Sequence, residues 1–242
     1  MTDQPRSGIA SHLESLLRRA LYTYDLIPES GGITVALSGG KDSLSLLHLL
    51  AHVRGRGFPD FFLGAAHVSG AFSCGAGVQV PFLQGTCDRL GVPLAIRETH
   101  QTLDELECYS CSRNRRKLLF EMAAEQGTHT VAFGHHRDDN IQTLLMNLLH
   151  KGEFAGNLPK LPMVHYGMTI IRPLILAAEE DIRSFAQQMG FARITCQCPV
   201  GANSKRRQTE DLLRQLESVF PHARNNLQRA VLRDGSQKAL TP

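Results

Sequence analysis

Two hydrophobic rhythms alternate along the chain. Short apolar runs rich in β-branched residues occupy 33–37, 61–68, 92–97, 129–133 and 168–172, the length and composition of buried strands. Between them lie segments with apolar residues at helical spacing. The segment 11–26 sets Leu13, Leu16, Leu17, Ala20 and Leu21 on one face, and 139–150 carries the stripe Ile141, Leu144, Leu145 and Leu148. Helices are likewise predicted over 42–53, 80–90, 113–126 and 179–189, with a polar, cysteine-bearing loop over 101–112. Strand–helix alternation of this kind predicts an α/β fold, a parallel sheet with helices on both faces. Ligands on such sheets bind beyond the C-terminal ends of the strands. From about residue 194 the alternation stops. A basic stretch, Lys205-Arg206-Arg207, precedes two amphipathic helices, one carrying Leu212, Leu213 and Leu216 and the other Leu227 and Val231. No linker rich in Pro, Gly or Ser interrupts the chain. One domain is therefore expected over 1–242, with an N-terminal helix (about 11–26) and a C-terminal helical extension (about 194–242).

Composition narrows the setting. No apolar run reaches the ~18 residues of a membrane span, and 1–10 lacks the apolar core of a signal peptide. A cytoplasmic protein with no membrane partner is expected. The formal net charge of +3 is too small to establish a nucleic-acid partner by itself. The six cysteines, Cys74, Cys87, Cys108, Cys111, Cys196 and Cys198, favour metal or redox chemistry over disulfides in that compartment.

The most informative residues are Ser38-Gly39-Gly40-Lys41-Asp42-Ser43, between the first strand and a leucine-rich helix. A glycine turn into a helix aims backbone N–H groups and the helix N-terminus at one point, where an anion binds. Lys41 adds a positive charge, and Ser38 and Ser43 add hydroxyls. The spacing is not that of a Walker A loop. It matches the pyrophosphate loop of ATP pyrophosphatases that release AMP. The bland alternative is a plain turn in which Asp42 or Ser43 caps the helix.

Two further constellations carry chemistry. Cys108-x-x-Cys111 is compatible with a redox dithiol, with half of a zinc site completed by Cys196 and Cys198, with part of an iron–sulfur cluster, or with inert buried thiols. The helix after it is basic. Arg115 shares the face of Leu118, Leu119 and Met122 and points toward the ligand end of the sheet, whereas Arg113, Arg116 and Lys117 project outward, as RNA-phosphate contacts or as a solvated face. Gly134-His135-His136-Arg137-Asp138-Asp139 follows the strand at 131–133 and also falls on the ligand side. A capping role for Asp139, with Gln142 completing a capping box, would account for one of these polar residues but not for the cluster.

Taken together, the glycine loop, Cys108-x-x-Cys111-Ser112-Arg113, Gly134-His135-His136-Arg137-Asp138-Asp139-x-x-Gln142-Thr143 and Arg172-Pro173-Leu174 resemble the tRNA 2-thiocytidine synthetase (TtcA-like) family. The resemblance runs from about Ser11 to the C-terminus and implies a Rossmann-like adenine nucleotide α-hydrolase (PP-loop) fold. It implies ATP with Mg²⁺ at Ser38, Gly39, Gly40, Lys41, Asp42 and Ser43, with adenine near Ala66 and His67 and the loop Gly134-His135 alongside. It also implies a [4Fe-4S] cluster on three cysteines. Cys108 and Cys111 match the family's pair, and Cys198 is the third ligand, with Cys196 as the fallback because the spacing here is one residue shorter than in the family.

The implied reaction transfers AMP to O2 of a cytidine at position 32 of the tRNA anticodon loop and then replaces that oxygen with sulfur. Lys41 would stabilise phosphate charge, and Asp139 and Arg115 would orient the base and the leaving group. The implied partners are tRNA and a sulfur donor, either a cysteine desulfurase persulfide or sulfide. The electron donor is left open. A homodimer is implied by the family, although no residue pattern marks its face. The competing readings are a lysidine-type synthetase, which has no need of the cysteines; a 2-thiouridine synthetase, which usually carries zinc modules not found here; a non-catalytic ATP- or redox-sensing module; and a zinc-stapled binding protein.

Overall fold

The computed structural model describes residues 8–70, 80–99, 108–191 and 205–234, with the backbone alone at 108–111. Chain order is α1 (Gly8–Thr23), β1 (Gly32–Ala36), α2 (Lys41–Val53), β2 (Phe62–Ser69), α3 (Val80–Leu90), β3 (Leu94–Glu98), α4 (Cys108–Glu125) and β4 (Thr130–Ala132). There follow α5 (Arg137–Lys151), β5 (Lys160–Met163), a 3-10 turn (Val164–Tyr166), β6 (Met168–Ile171), α6 (Glu179–Gln188), α7 (Lys205–Val219) and α8 (Ala223–Asp234). One six-stranded sheet has the order β3-β2-β1-β4-β6-β5. β1 is buried throughout, as a central strand covered on both faces must be.

The two faces have separate cores. Leu13 and Leu17 of α1, Leu44, Leu47 and Leu50 of α2, Leu83 of α3 and Ile182 and Phe185 of α6 pack on Ile33, Val35, Leu63 and Ala65. On the other face Leu119, Phe120, Met122 and Ala123 of α4 pack on Ala36, Ala66, Val68, Val131 and Ile170. Both α7 and α8 pack on α5, and Ile141, Leu145 and Leu213 form a third, smaller cluster. No helix among the described residues is long and apolar enough to cross a membrane.

Two expectations need correction. The sheet is not wholly parallel, because β5 pairs antiparallel with β6. That strand is short and contains Pro162, a residue tolerated at a sheet edge because it has no N–H to donate, so the segment carries no strand signal. The helix expected from Arg113 begins at Cys108, so the first cysteine pair sits in its first turn and not in a loop. The N–H groups of a first turn have no intrahelical partner. Weak helix formers such as Cys and Ser are tolerated there and leave no periodic trace. Cys74, Cys196 and Cys198 lie outside the described residues.

His48 of α2 rests against Phe191, ring centroids 4.9 Å apart, with its Nε2 buried and without a hydrogen-bond partner among the described residues. Burial, aided by the Arg89 charge, pushes its pKa down to about 4. An unfolded imidazole takes up its proton near pH 6.5. Between about 6.5 and 4 the unfolded chain therefore binds the extra proton, and stability falls as the pH drops through that window, by at most ~1.4 kcal/mol per pH unit. His48→Leu should melt with a smaller loss between pH 7 and pH 5 than the parent chain. Equal losses in the two proteins would discard this account.

Candidate active site

The strand order reverses between β1 and β4, with β2 and β3 on one side and β6 and β5 on the other. Such a switch point opens a crevice at the strands' C-terminal ends. The turn leaving β1 there is knitted by two hydroxyls. Ser43 Oγ donates to Gly40 O (3.0 Å), accepts from Ser38 N–H (3.2 Å) and lies 3.0 Å from Ser38 Oγ. Gly39 has φ +83°, the left-handed region that glycine occupies without strain. Gly40 is the N-cap of α2, and no side chain caps the helix. Neither Asp42 nor Ser43 is the cap, so the plain capped turn is not what forms. The open N–H groups and the helix dipole make an anion cradle.

Lys41 lies at its edge. Its ammonium is 2.9 Å from Asp42 and 3.1 Å from Glu179, the first residue of α6. Burial alone would lower its pKa, but the two carboxylates outweigh burial and raise it, so the charge is retained. The loop after β4 runs against this turn. A Cβ on Gly134 would come within 3.0 Å of Asp42 C and Ser43 N, a contact only glycine avoids.

That loop enters α5 through a capping box. His136 is the N-cap, its N–H donating to Asp139 Oδ2 (3.1 Å) and its Nδ1 accepting from Asp139 N–H (3.4 Å). Asp139 is thus the third residue of the box and not its cap, and Gln142 instead donates to Glu210 (2.9 Å). His136 Nε2 lies 3.4 Å from Asp139 Oδ2 and 3.7 Å from Asp42 Oδ1, so both carboxylates converge on one ring nitrogen. Arg206 of α7 donates to Asp139 Oδ1 (3.0 Å). Burial would raise the Asp139 pKa, but His136, His135 and Arg206 together hold the carboxyl below its usual range. His135 is pushed down to about 4 by burial and by Arg172, and it is neutral at pH 7. Asp138 belongs to a different network. It is buried, accepting from Glu179 N–H (2.8 Å) and from Arg224 Nη1 (2.8 Å).

Arg115 reaches the same end of the sheet, donating to Val68 O near the end of β2 (2.9 Å). Ala66 and His67 are fully buried, and His67 Nδ1–H donates to Leu37 O (2.7 Å), so any contact to a base there would come from the strand backbone. Arg172, just past β6, is also buried. It donates to Leu158 O, and its Nε has no hydrogen-bond partner among the described residues. Burial and the nearby Arg116 charge lower its pKa to about 10. The structure therefore brings Lys41, Asp42, Gly134, His135, Asp139 and Arg115 to one end of the sheet. Cys108 and Cys111 are three residues apart in α4's first turn, neighbouring positions on a helix surface. Cys198 lies outside the described residues.

Sequence reasoning gave Glu179, Arg206 and His136 no role of their own. Glu179 stands in an acidic first turn that reads as ordinary helix-dipole complement. Arg206 stands in a basic run. The signal for His136 was present but was read only as part of a cluster.

Hard carboxylate oxygens on Asp42 and Asp139, both near His136 Nε2 beside an anion cradle, fit the ligand preference of a Mg²⁺ ion. An α/β sheet with a capless glycine turn at its switch point defines the class, a nucleotide-binding PP-loop protein. A model of the PP-loop domain matches residues 9–215. The tRNA-cytidine(32) 2-sulfurtransferase of Anaeromyxobacter dehalogenans is 36% identical over 221 residues, covering 88% of this chain and 75% of that one. That of Pelobacter propionicus is 32% identical over 229 residues, covering 90% and 84%. This chain belongs to the tRNA-cytidine(32) 2-sulfurtransferase family of PP-loop proteins. The solved U34-tRNA thiolase NcsA from Methanococcus maripaludis with its [4Fe-4S] cluster shares the fold, with a TM-score of 0.76 at 23% identity, covering 96% of this chain and 80% of that one.

Proposed function

We propose that this chain is a tRNA sulfurtransferase that uses ATP to convert a tRNA cytidine, at position 32 in its named relatives, into 2-thiocytidine. The observation that carries the reading is convergence. The capless glycine turn with Lys41, the Asp42–His136–Asp139 cluster and Arg115 meet at the strand ends, on the helix that opens with Cys108 and Cys111.

The α2 N-terminus and Lys41 bind the triphosphate, whose oxygens take over the charge Lys41 now shares with Glu179. Asp42 and Asp139 would hold Mg²⁺, which would supply charge neutralisation at the phosphates. Cytidine O2 attacks the α-phosphorus, and pyrophosphate leaves with the electrons of the broken P–O bond. Arg115 and Lys41 stand where negative charge develops. A sulfur nucleophile then adds at C2, and AMP departs with the former O2. Cys108, Cys111 and Cys198, with Cys196 as the alternative third ligand, would hold a [4Fe-4S] cluster, which supplies the sulfur-carrying site when bound. The fit of that cluster rests on the first-turn spacing of Cys108 and Cys111 and on the soft-ligand chemistry of thiolates. The sulfur donor is sulfide, which adds without a redox change, or a desulfurase persulfide, whose S–S bond must then be cleaved by a two-electron reductant.

Anaerobic purification with iron, sulfide and zinc determination, followed by nucleoside analysis of host tRNA, tests this. Iron and sulfide in the proportion of one cluster per chain are expected, with 2-thiocytidine lost when Cys108→Ala replaces the parent. Zinc without iron, or unchanged 2-thiocytidine in the Cys108→Ala strain, would overturn it.

A further inference from the structure

Between the first turns of α4 and the β5–β6 hairpin lies an open cavity of about 540 Å³ lined by Ser112, Arg113, Arg116, Lys117, Met163, His165 and Tyr166. Strand β5 and the turn after it left no signal in the sequence, so this wall becomes visible only in the fold. The volume is within the roughly 300–1,000 Å³ of small-ligand sites. No lining residue is acidic. Lys117 has a distant carboxylate, Glu121 at 3.9 Å, whereas Arg113 and Arg116 have none among the described residues. Tyr166 meets Phe120 edge-on at 5.3 Å, which fixes its ring, yet it is 41% exposed. Arg116 also lies near the buried, incompletely partnered Arg172, whose counter-charge is Asp139, so Arg113 and Arg116 add positive charge that no carboxylate among the described residues pairs.

We propose that this cavity holds a nucleotide flanking the modified cytidine, its phosphate on Arg113 and Arg116 and its base stacked on Tyr166. A fixed aromatic ring beside unpaired guanidinium groups is the pairing that single-stranded nucleic acid uses, because every base has a π-face and every linkage a charge. An acidic peptide would satisfy the arginines but leave the tyrosine face without a planar partner. Placement supports the argument on one wall: Ser112 to Lys117 of α4 flank Arg115, which reaches the strand ends, while the Tyr166 wall lies toward the strands' N-terminal ends, so a nucleotide in the cavity would extend away from the catalytic site along α4. The inference rests on the RNA-substrate reading above.

The test is fluorescence anisotropy with an anticodon stem–loop RNA across a salt series. Tyr166→Ala should weaken binding about tenfold with little change in salt slope, and Tyr166→Phe should restore it. Arg116→Ala should weaken binding and flatten the slope of log K against log salt by about 0.7–0.9, the loss of one phosphate contact. Melting temperatures within about 5 °C of the parent would show that the fold survives. Parent-like affinity in both the Ala variants overturns the proposal and leaves the catalytic reading standing. A parent chain that binds no RNA removes both. RNA affinity that stays high while a polyglutamate peptide loses its binding in Arg116→Ala would assign the cavity to an acidic protein partner and overturn the RNA subsite.

Discussion

Asp139→Asn should slow RNA-dependent pyrophosphate release at least ~100-fold while moving the melting temperature by only a few degrees. The substitution is nearly isosteric. An asparagine oxygen can still accept the His136 N–H at the 3.1 Å now spanned by Asp139 Oδ2, so the capping box survives. What disappears is the charge. Asp139 is held ionised against its own burial by His136, whose backbone N–H it accepts, and by Arg206, and that charge costs the fold something unless it is used. Among the described residues Asp42 is the other carboxylate near His136 Nε2 on the cradle side, so a Mg²⁺ ion would lose one of the two carboxylates offered to it. The measurement is steady-state pyrophosphate release with saturating ATP and tRNA, beside a thermal melt. Turnover within about threefold of the parent would make Asp139 a capping residue and nothing more.

The order of strands and helices was legible because burial imposes a period. Runs such as 33–37 and the leucine face of α2 can be read without knowing what they pack against. The cradle was legible for a related reason: its residues are contiguous, and a Gly-Gly-Lys turn between a strand and a helix permits few other geometries. What escaped depends on contacts between distant parts of the chain. The Lys41–Glu179 pair joins the loop after β1 to the start of α6. Arg206 was read within a basic stretch, where a solvated face and an RNA contact are equally natural, and one of its three cations turns inward to Asp139. Asn140 is fully buried between Gln228 of α8 and the backbone of Asn157, yet nothing beside it in sequence distinguishes it from a surface asparagine. Strand β5 was missed because Pro162 suppresses the strand pattern, and with it went the wall of the basic cavity, although its partner β6 was legible.

The same distance in sequence governs the largest expected effect on stability. Arg224→Met should destabilise the chain by about 3 kcal/mol and lower its melting temperature by roughly 6–12 °C. Arg224 is an ionic hub. Its guanidinium donates to Asp138 (2.8 Å), Glu210 (2.6 Å) and Glu217 (2.8 Å), partners 86, 14 and 7 residues away. Its side chain is 13% exposed and that of Asp138 only 7%. Methionine fills much of the same volume, so the loss is electrostatic: Asp138 stays buried with its strongest counter-charge gone. Removing one member of a buried pair costs about 3–5 kcal/mol. Glu210 and Glu217 are partly solvated, and Arg137 remains 3.6 Å from Asp138, which places the expectation at the low end. The effect extends toward the cradle, because Asp138 also anchors the N–H of Glu179, whose carboxylate pairs with Lys41. A double-mutant cycle decides the matter. Arg224→Met and Asp138→Asn together should cost well short of the sum of the single losses, because each removes the same interaction. Strict additivity, or a single variant melting within about 2 °C of the parent, would mean that α7 and α8 are held by their apolar contacts with Ile141 and Leu145 and by the Gln142, Asn140 and Arg206 hydrogen bonds, without the Arg224 ion pairs.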